Sequence, residues 1–293
     1  MGTTRLVLGG AFGLESQADS DRRLEAFAAA GGQFVESGFT YFGGKGMAAV
    51  GAWQRGHPGR LKVVMKIGHG ARGVDIPLTR ENIFADATAA VAALHVPALG
   101  VMVLHCDDPG RPVDEIADTL VALIDQGVAE AVGVSNWTAP RLAALVPLLL
   151  ERGHLPLASY HFSLAAPDAA LFPGTTLPST PQILAVVGEY GLPLLSWSAN
   201  AGGFFARTDA DPTPGGGPDP FDTPLSRARR ARCRELAALR GLEPATVALA
   251  WSLGHPQVWA SVGPDSPAQL EQALAATALD LSPADSRWLA DGA

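Results

Sequence analysis

The chain has 293 residues, of which 47% are hydrophobic and 17% charged, with a formal net charge of −8. That balance excludes a disordered protein and leaves enough apolar mass for a large core, at a length that suits one α/β barrel domain over residues 1–293. The acidic excess argues against a nucleic-acid partner, because phosphate backbones are held by clusters of Lys and Arg.

The N-terminus carries no basic-then-apolar leader pattern. Residues 5–8 form a short strand followed by Gly9-Gly10 and Gly13, which predicts a short N-terminal β-hairpin or plug at the base of a barrel. Helical spacing of Leu24, Phe27 and Ala28 predicts a helix over 21–30 with Ser20 as N-cap and a stop at Gly31-Gly32. A strand at 33–35 runs into a polar, glycine-rich loop that carries Glu36 and Tyr41. A helix at 48–54, a strand at 61–66 closing on Lys66, a helix at 79–94 and a strand at 99–104 followed by His105 come next. Helix 113–125 stops at Gly127, strand 130–134 ends in Ser135-Asn136, and helix 139–152 precedes strand 157–162. The most apolar run, 142–150, is far shorter than the roughly 20 residues that cross a bilayer, so no membrane is expected.

Helix 180–190, strand 193–197, a long Gly/Pro/Asp stretch at 201–224, helices 225–239 and 245–253, strand 257–262 and helices 267–277 and 283–289 complete the chain. The basic run 227–234 reads as a solvated helix face. Cys106 and Cys233 fit neither a disulfide framework nor metal-ligand spacing, which predicts a cytoplasmic protein without a metal. High Ala, Gly, Pro and Arg with little Lys suits a GC-rich bacterial genome.

Short strands alternating with helices predict a parallel α/β architecture. Seven strands follow the N-terminal one, so an eight-fold barrel would need another between Gly203 and Leu239. Periodicity alone fits a barrel and an open doubly wound sheet equally, and no Gly-x-Gly-x-x-Gly follows any strand. Three successive apolar runs end in Glu36 and Tyr41, in Lys66 and in His105. In one parallel sheet these side chains meet at the carboxyl edge, where such folds keep their chemistry.

These residues resemble the aldo-keto reductase superfamily almost end to end. Glu36-Ser37-Gly38-Phe39-Thr40-Tyr41 is similar to the family's Asp-Thr-Ala-x-x-Tyr, and Met65-Lys66-Ile67-Gly68 to its Thr-Lys-x-Gly. Leu104-His105-Cys106-Asp107-Asp108, Gly133-Val134-Ser135-Asn136, Ala248-Leu249-Ala250-Trp251 and the terminal stretch from Leu279 to Asp285 resemble further family motifs, in the family's order. The resemblance implies a (β/α)8 TIM barrel, a nicotinamide cofactor, NADP(H) or NAD(H), and a small-molecule carbonyl or alcohol as partner.

By resemblance, Tyr41 is the general acid, Lys66 its tuner, Glu36 the ion-pair partner of the lysine and His105 the residue that orients the carbonyl. A lysine ammonium favours a neighbouring phenolate, so the Tyr41 pKa is expected to fall. Glu36 departs from the family's Asp, which reads as a tolerated substitution, a retuned pocket or weakened redox chemistry. Ser135 and Asn136 match the carboxamide-holding pair, and Ser159 stands where the family usually has Gln. Trp197 replaces the Tyr that stacks on the nicotinamide, followed by Ser198; Gly263, Ser266 and Gln269 fall at the adenosine end, with Asp265 and Ala273 as departures and Arg207 as a candidate cation. Phe12, Phe39, Phe42, His69, Trp137 and His161 are expected to line the substrate pocket. The functional expectation is a carbonyl-reducing oxidoreductase. Its rivals are a barrel of the same ancestry doing dehydration or isomerisation with Tyr41 and Lys66, and a non-catalytic dinucleotide-sensing module.

Overall fold

Eight strands pair in parallel in strict chain order and close on themselves: β1 (Leu6–Leu8), β2 (Phe34–Gly38), β3 (Lys62–Ile67), β4 (Val101–Leu104), β5 (Val132–Ser135), β6 (Leu157–His161), β7 (Leu194–Trp197) and β8 (Val258–Val262). The computed structural model describes residues 4–10, 12–68, 77–171, 181–208, 211, 213 and 217–293. Among these, ten helices surround the strands: α1 (Gln17–Ala29), α2 (Lys45–Gly56), α3 (Arg80–Leu94), α4 (Val113–Asp125), α5 (Ala139–Leu150), α6 (Pro181–Tyr190), α7 (Pro224–Arg240), α8 (Pro244–Leu253), α9 (Pro267–Ala278) and α10 (Pro283–Asp291). The architecture is the (β/α)8 barrel. None of the described helices is long and apolar enough to cross a membrane.

The strand period of two sorts side chains into two cores. On β3, Val63, Met65 and Ile67 face the helices and join the main apolar cluster, while Val64 joins Val7, Val101, Val103 and Leu195 inside the barrel. Lys66 follows Val64 by two residues and shares its inward face. Glu36 lies in register with Val64, and Gly38 with Lys66. On β2 and β3 the inward face is therefore apolar at its base and charged toward its carboxyl end, at Glu36 and Lys66.

Three expectations need correction. Leu6–Leu8 is the first barrel strand, not a hairpin or plug: Leu6 is in register with Ala260 and Val7 with Phe34, both in parallel ladders. It is the strand sought between Gly203 and Leu239. Helix α1 begins earlier than expected, because the Ser16 side chain caps it by accepting from the Asp19 amide, while Ser20 is buried and bonds Glu15 at 2.9 Å. The 227–234 run is only in part a solvated face: Arg227 stays exposed, but the other arginines are engaged. Arg229 and Arg232 donate to the Ala290 carbonyl, Arg232 also to Leu289 at 3.1 Å, Arg234 binds the Arg207 carbonyl at 2.6 Å, and Arg230 is buried with its guanidinium 4.4 Å from the Phe204 ring centre. Guanidinium forks take up carbonyls left without partners at the C-terminal end of α10, which exposure to water would otherwise satisfy.

Candidate active site

Glu36 and Lys66 are both almost fully buried at the carboxyl ends of β2 and β3, with Nζ 2.6 Å from Oε1. Tyr41, five residues beyond Glu36, sits in a short 3-10 turn (Tyr41–Gly44), and its hydroxyl is 3.5 Å from the same Oε1. The His105 ring meets the Tyr41 ring edge-on, with centroids 5.7 Å apart. All four side chains line one cavity of about 1140 Å³. That cavity opens from this cluster past Trp197 and Ser198 to Glu243 at the N-cap of α8 and to Gln269, Gln272 and Ala273 on α9.

The electrostatics differ from the sequence expectation in one respect. Burial pushes the Tyr41 phenol up to about 12; Lys66 pulls against that and Glu36 adds to it. The phenol is therefore protonated at neutral pH rather than poised toward phenolate. Burial also works against the Lys66 charge, but the Glu36 carboxylate and the Tyr41 phenol outweigh it and hold the ammonium above its ordinary value. The result is a neutral O–H donor beside a permanent cation that would stabilise the phenolate left after donation.

The carboxamide candidates lie next to this cluster. The Asn136 amide donates to the His105 carbonyl at 3.1 Å and to Ser135 Oγ at 3.0 Å, and Ser135 donates to the Ser159 carbonyl at 2.9 Å. The buried Asn136 Oδ1 and Ser159 Oγ have no hydrogen-bond partner among the described residues. A buried polar atom without a partner is uncommon and points to a ligand group. Asn136 lines the cavity and Ser159 does not. Asn136, Ser198 and Phe42 all line it with left-handed backbone, at φ 63°, 53° and 54°. Non-glycine residues adopt that conformation uncommonly, and such residues are enriched at functional sites. Gly263, Ser266 and Gln269 line the outer part of the cavity, as does Arg207, whose guanidinium is paired with Asp219.

The substrate candidates mostly fall elsewhere. Phe42 lines the cavity. Phe12 is buried in the main core with the Arg23 guanidinium 4.6 Å from its ring centre, and Phe39 packs against the same core. Trp137 is fully buried, its indole donating to the Cys106 carbonyl at 3.3 Å. His161 is buried behind the wall, its ring 5.3 Å from that of Trp197 and 5.5 Å from that of Phe221, with Nε2 3.1 Å from Ser163 Oγ. His69 lies outside the described residues. Sequence reading missed Ser261, whose hydroxyl donates to Glu36 Oε2 at the cavity wall. The available signal was one hydroxyl in the otherwise apolar strand Val258–Val262, at an inward position in register with Val7. Cys106, Asn200, Glu243 and Gln272 were also missed as lining residues.

A closed parallel barrel with tyrosine, lysine and carboxylate in mutual contact at its carboxyl rim, on the floor of an elongated cleft, defines an acid–base barrel with room for an extended ligand. The sequence matches the aldo/keto reductase family over residues 4–289, and the chain belongs to that family. It is 26% identical over 226 residues to a versiconal hemiacetal acetate reductase of Aspergillus parasiticus, covering 73% of this chain and 62% of that protein. The match thus spans less than two thirds of that relative's length. It is 24% identical over 283 residues to an aryl-alcohol dehydrogenase of Pestalotiopsis microspora, covering 92% of this chain and 71% of that one. Among solved structures, the aldo/keto reductase of Klebsiella pneumoniae in complex with NADP and acetate superposes with a TM-score of 0.76 at 19% identity, over 98% of this chain and 90% of that one.

Proposed function

We propose that this chain is a nicotinamide-dependent oxidoreductase that reduces an aldehyde or ketone to an alcohol, or runs the reverse. The contact of Tyr41, Lys66 and Glu36 at the floor of the long cavity carries this reading. The residues fit the cofactor: Asn136 lines the cavity and its Oδ1, without a hydrogen-bond partner among the described residues, suits a carboxamide, with Ser135 holding Asn136 in place and the expected Ser159 contact set back from the cavity. Trp197 offers an aromatic wall for the nicotinamide ring, and Ser198, Gly263, Ser266 and Gln269 follow along the cleft. When bound, the nicotinamide supplies the hydride.

The protein's own part is proton transfer and orientation. Tyr41 gives its proton to the carbonyl oxygen as that oxygen gains charge. Lys66 stabilises the phenolate that remains, and Glu36 keeps the lysine fixed and charged. His105 orients the carbonyl beside Tyr41. Phe42, Cys106 and Trp197 shape the apolar side of the mouth. The free thiols Cys106 and Cys233 suit a reducing compartment.

One observation favours a second reading. Glu36 reaches within hydrogen-bonding range of the phenol itself, an arrangement suited to proton shuttling without hydride, as in dehydration or isomerisation. Titration with NADH and NADPH, followed by tryptophan fluorescence, separates the two. Saturable quenching of Trp197, with Tyr41→Phe keeping the quench but losing about 10³-fold in turnover, supports the reductase. No quenching by either dinucleotide selects the second reading.

A further inference from the structure

The outer end of the cavity is acidic. A dinucleotide with its nicotinamide at Tyr41 would extend along the cavity toward the end lined by Glu243, Asp265, Gln269 and Gln272. No Lys or Arg occurs in residues 241–254 or 263–286, and Arg207 is the one cation between Ser198 and Ser226. Arg207 is paired with Asp219 and donates to the Gly202 carbonyl. Arg23 approaches this end from α1, but its side chain is only 12% exposed and is divided between Glu15 at 3.2 Å and Asp265 at 3.3 Å. The Asp265 side chain remains 76% exposed beside it. Glu243 is exposed at the N-cap of α8, and its carboxylate makes no capping hydrogen bond.

The N-terminus of α9, which could attract a phosphate, is already served by its own residues. Ser266 Oγ accepts from the Gln269 amide at 3.3 Å, and Gln269 Oε1 accepts from the Asp265 amide at 2.6 Å. A phosphate ester there carries nearly two negative charges and would meet carboxylates in place of an uncommitted guanidinium or ammonium. An unesterified ribose instead presents two O–H donors, and an ionised carboxylate is an acceptor only.

We propose that Glu243 and Asp265 make this end of the cavity a diol-binding site that excludes a 2′-phosphate, so that the chain takes NAD(H) in preference to NADP(H). This rests on the dinucleotide reading above. Exposed charges are screened by salt, so the discrimination is largest at low ionic strength.

The test is calorimetric titration of the purified protein with NADH and NADPH at low and at high salt, without substrate. NADH should bind at least about tenfold more tightly at low salt, with the gap narrowing as salt rises. Glu243→Gln combined with Asp265→Asn should raise NADPH affinity several-fold. Equal or tighter binding of NADPH by the native protein would overturn the proposal and leave the reductase reading standing. Binding of neither dinucleotide would overturn both.

Discussion

Ser261 on β8 donates its hydroxyl to Oε2 of Glu36 on β2, above the end of the strand that separates them. The other carboxylate oxygen faces the Lys66 ammonium. Glycine at position 9 leaves the room for this, since a Cβ there would stand 2.6 Å from Ser261 Oγ. The longer glutamate therefore spans two anchors, and Ser261 acts as a positioning residue for the carboxylate.

Ser261→Ala should lower kcat about tenfold, the loss that follows from removing a hydrogen bond to a charged group, with KM nearly unchanged. Steady-state kinetics check this, and Ser261→Thr, which keeps the hydroxyl, should recover most of the rate. An unchanged kcat in the alanine variant would show that Lys66 alone fixes Glu36.

Changes at Glu36 should separate length from charge. Glu36→Asp is one methylene too short to hold both Lys66 and Ser261, and should cost roughly tenfold to 10²-fold in kcat. Glu36→Gln leaves the buried Lys66 without its counter-charge and should destabilise the fold by about 3 kcal/mol, read from urea unfolding at neutral pH.

Burial drives the His161 imidazole down to about 4, well below its ordinary value of about 6.5. The unfolded chain takes up a proton near pH 6.5 that the folded chain refuses until about pH 4. This contribution to stability is therefore intact above about pH 6.5 and is lost as pH falls toward 4, about 3 kcal/mol in all. Native protein should lose about 2 kcal/mol between pH 7 and pH 5 on this account, and His161→Gln should flatten that slope in urea titrations.

Gly133 opens the Gly133-Val134-Ser135-Asn136 motif for a packing reason. A Cβ there would lie 2.4 Å from the Leu157 carbonyl oxygen on β6. Gly133→Ala should force β5 and β6 apart, cost about 1–3 kcal/mol and misplace Asn136. Thermal unfolding and cofactor affinity should fall together.

The spacing of apolar runs was enough to locate seven strands and to bring Glu36, Tyr41, Lys66 and His105 to strand ends, because a strand between two apolar layers must be hydrophobic along its length. Local stop signals served equally well: α4 begins at Val113 and ends at Asp125, before Gly127, as its pattern predicts. β1 was legible as a strand but not as part of the barrel, because three residues carry little pattern of their own and its place rests on pairing with β8 about 250 residues away.

Side-chain direction and environment were decided only by the assembled barrel. Phe12, Trp137 and His161 are aromatic residues at the active rim of the chain, yet packing turns them into the core or behind Trp197. The arginines of α7 look solvated until α10 lays its carbonyls against them. The Tyr41 pKa rises because burial exceeds the pull of Lys66, a balance set by exclusion of water rather than by which residues are present. The sequence by itself determined which chemical groups the strands carry to the rim. The tertiary structure decided which of them share a wall, how Ser261 and Lys66 divide one carboxylate, and where the cavity turns acidic, because those are contacts between segments far apart in the chain.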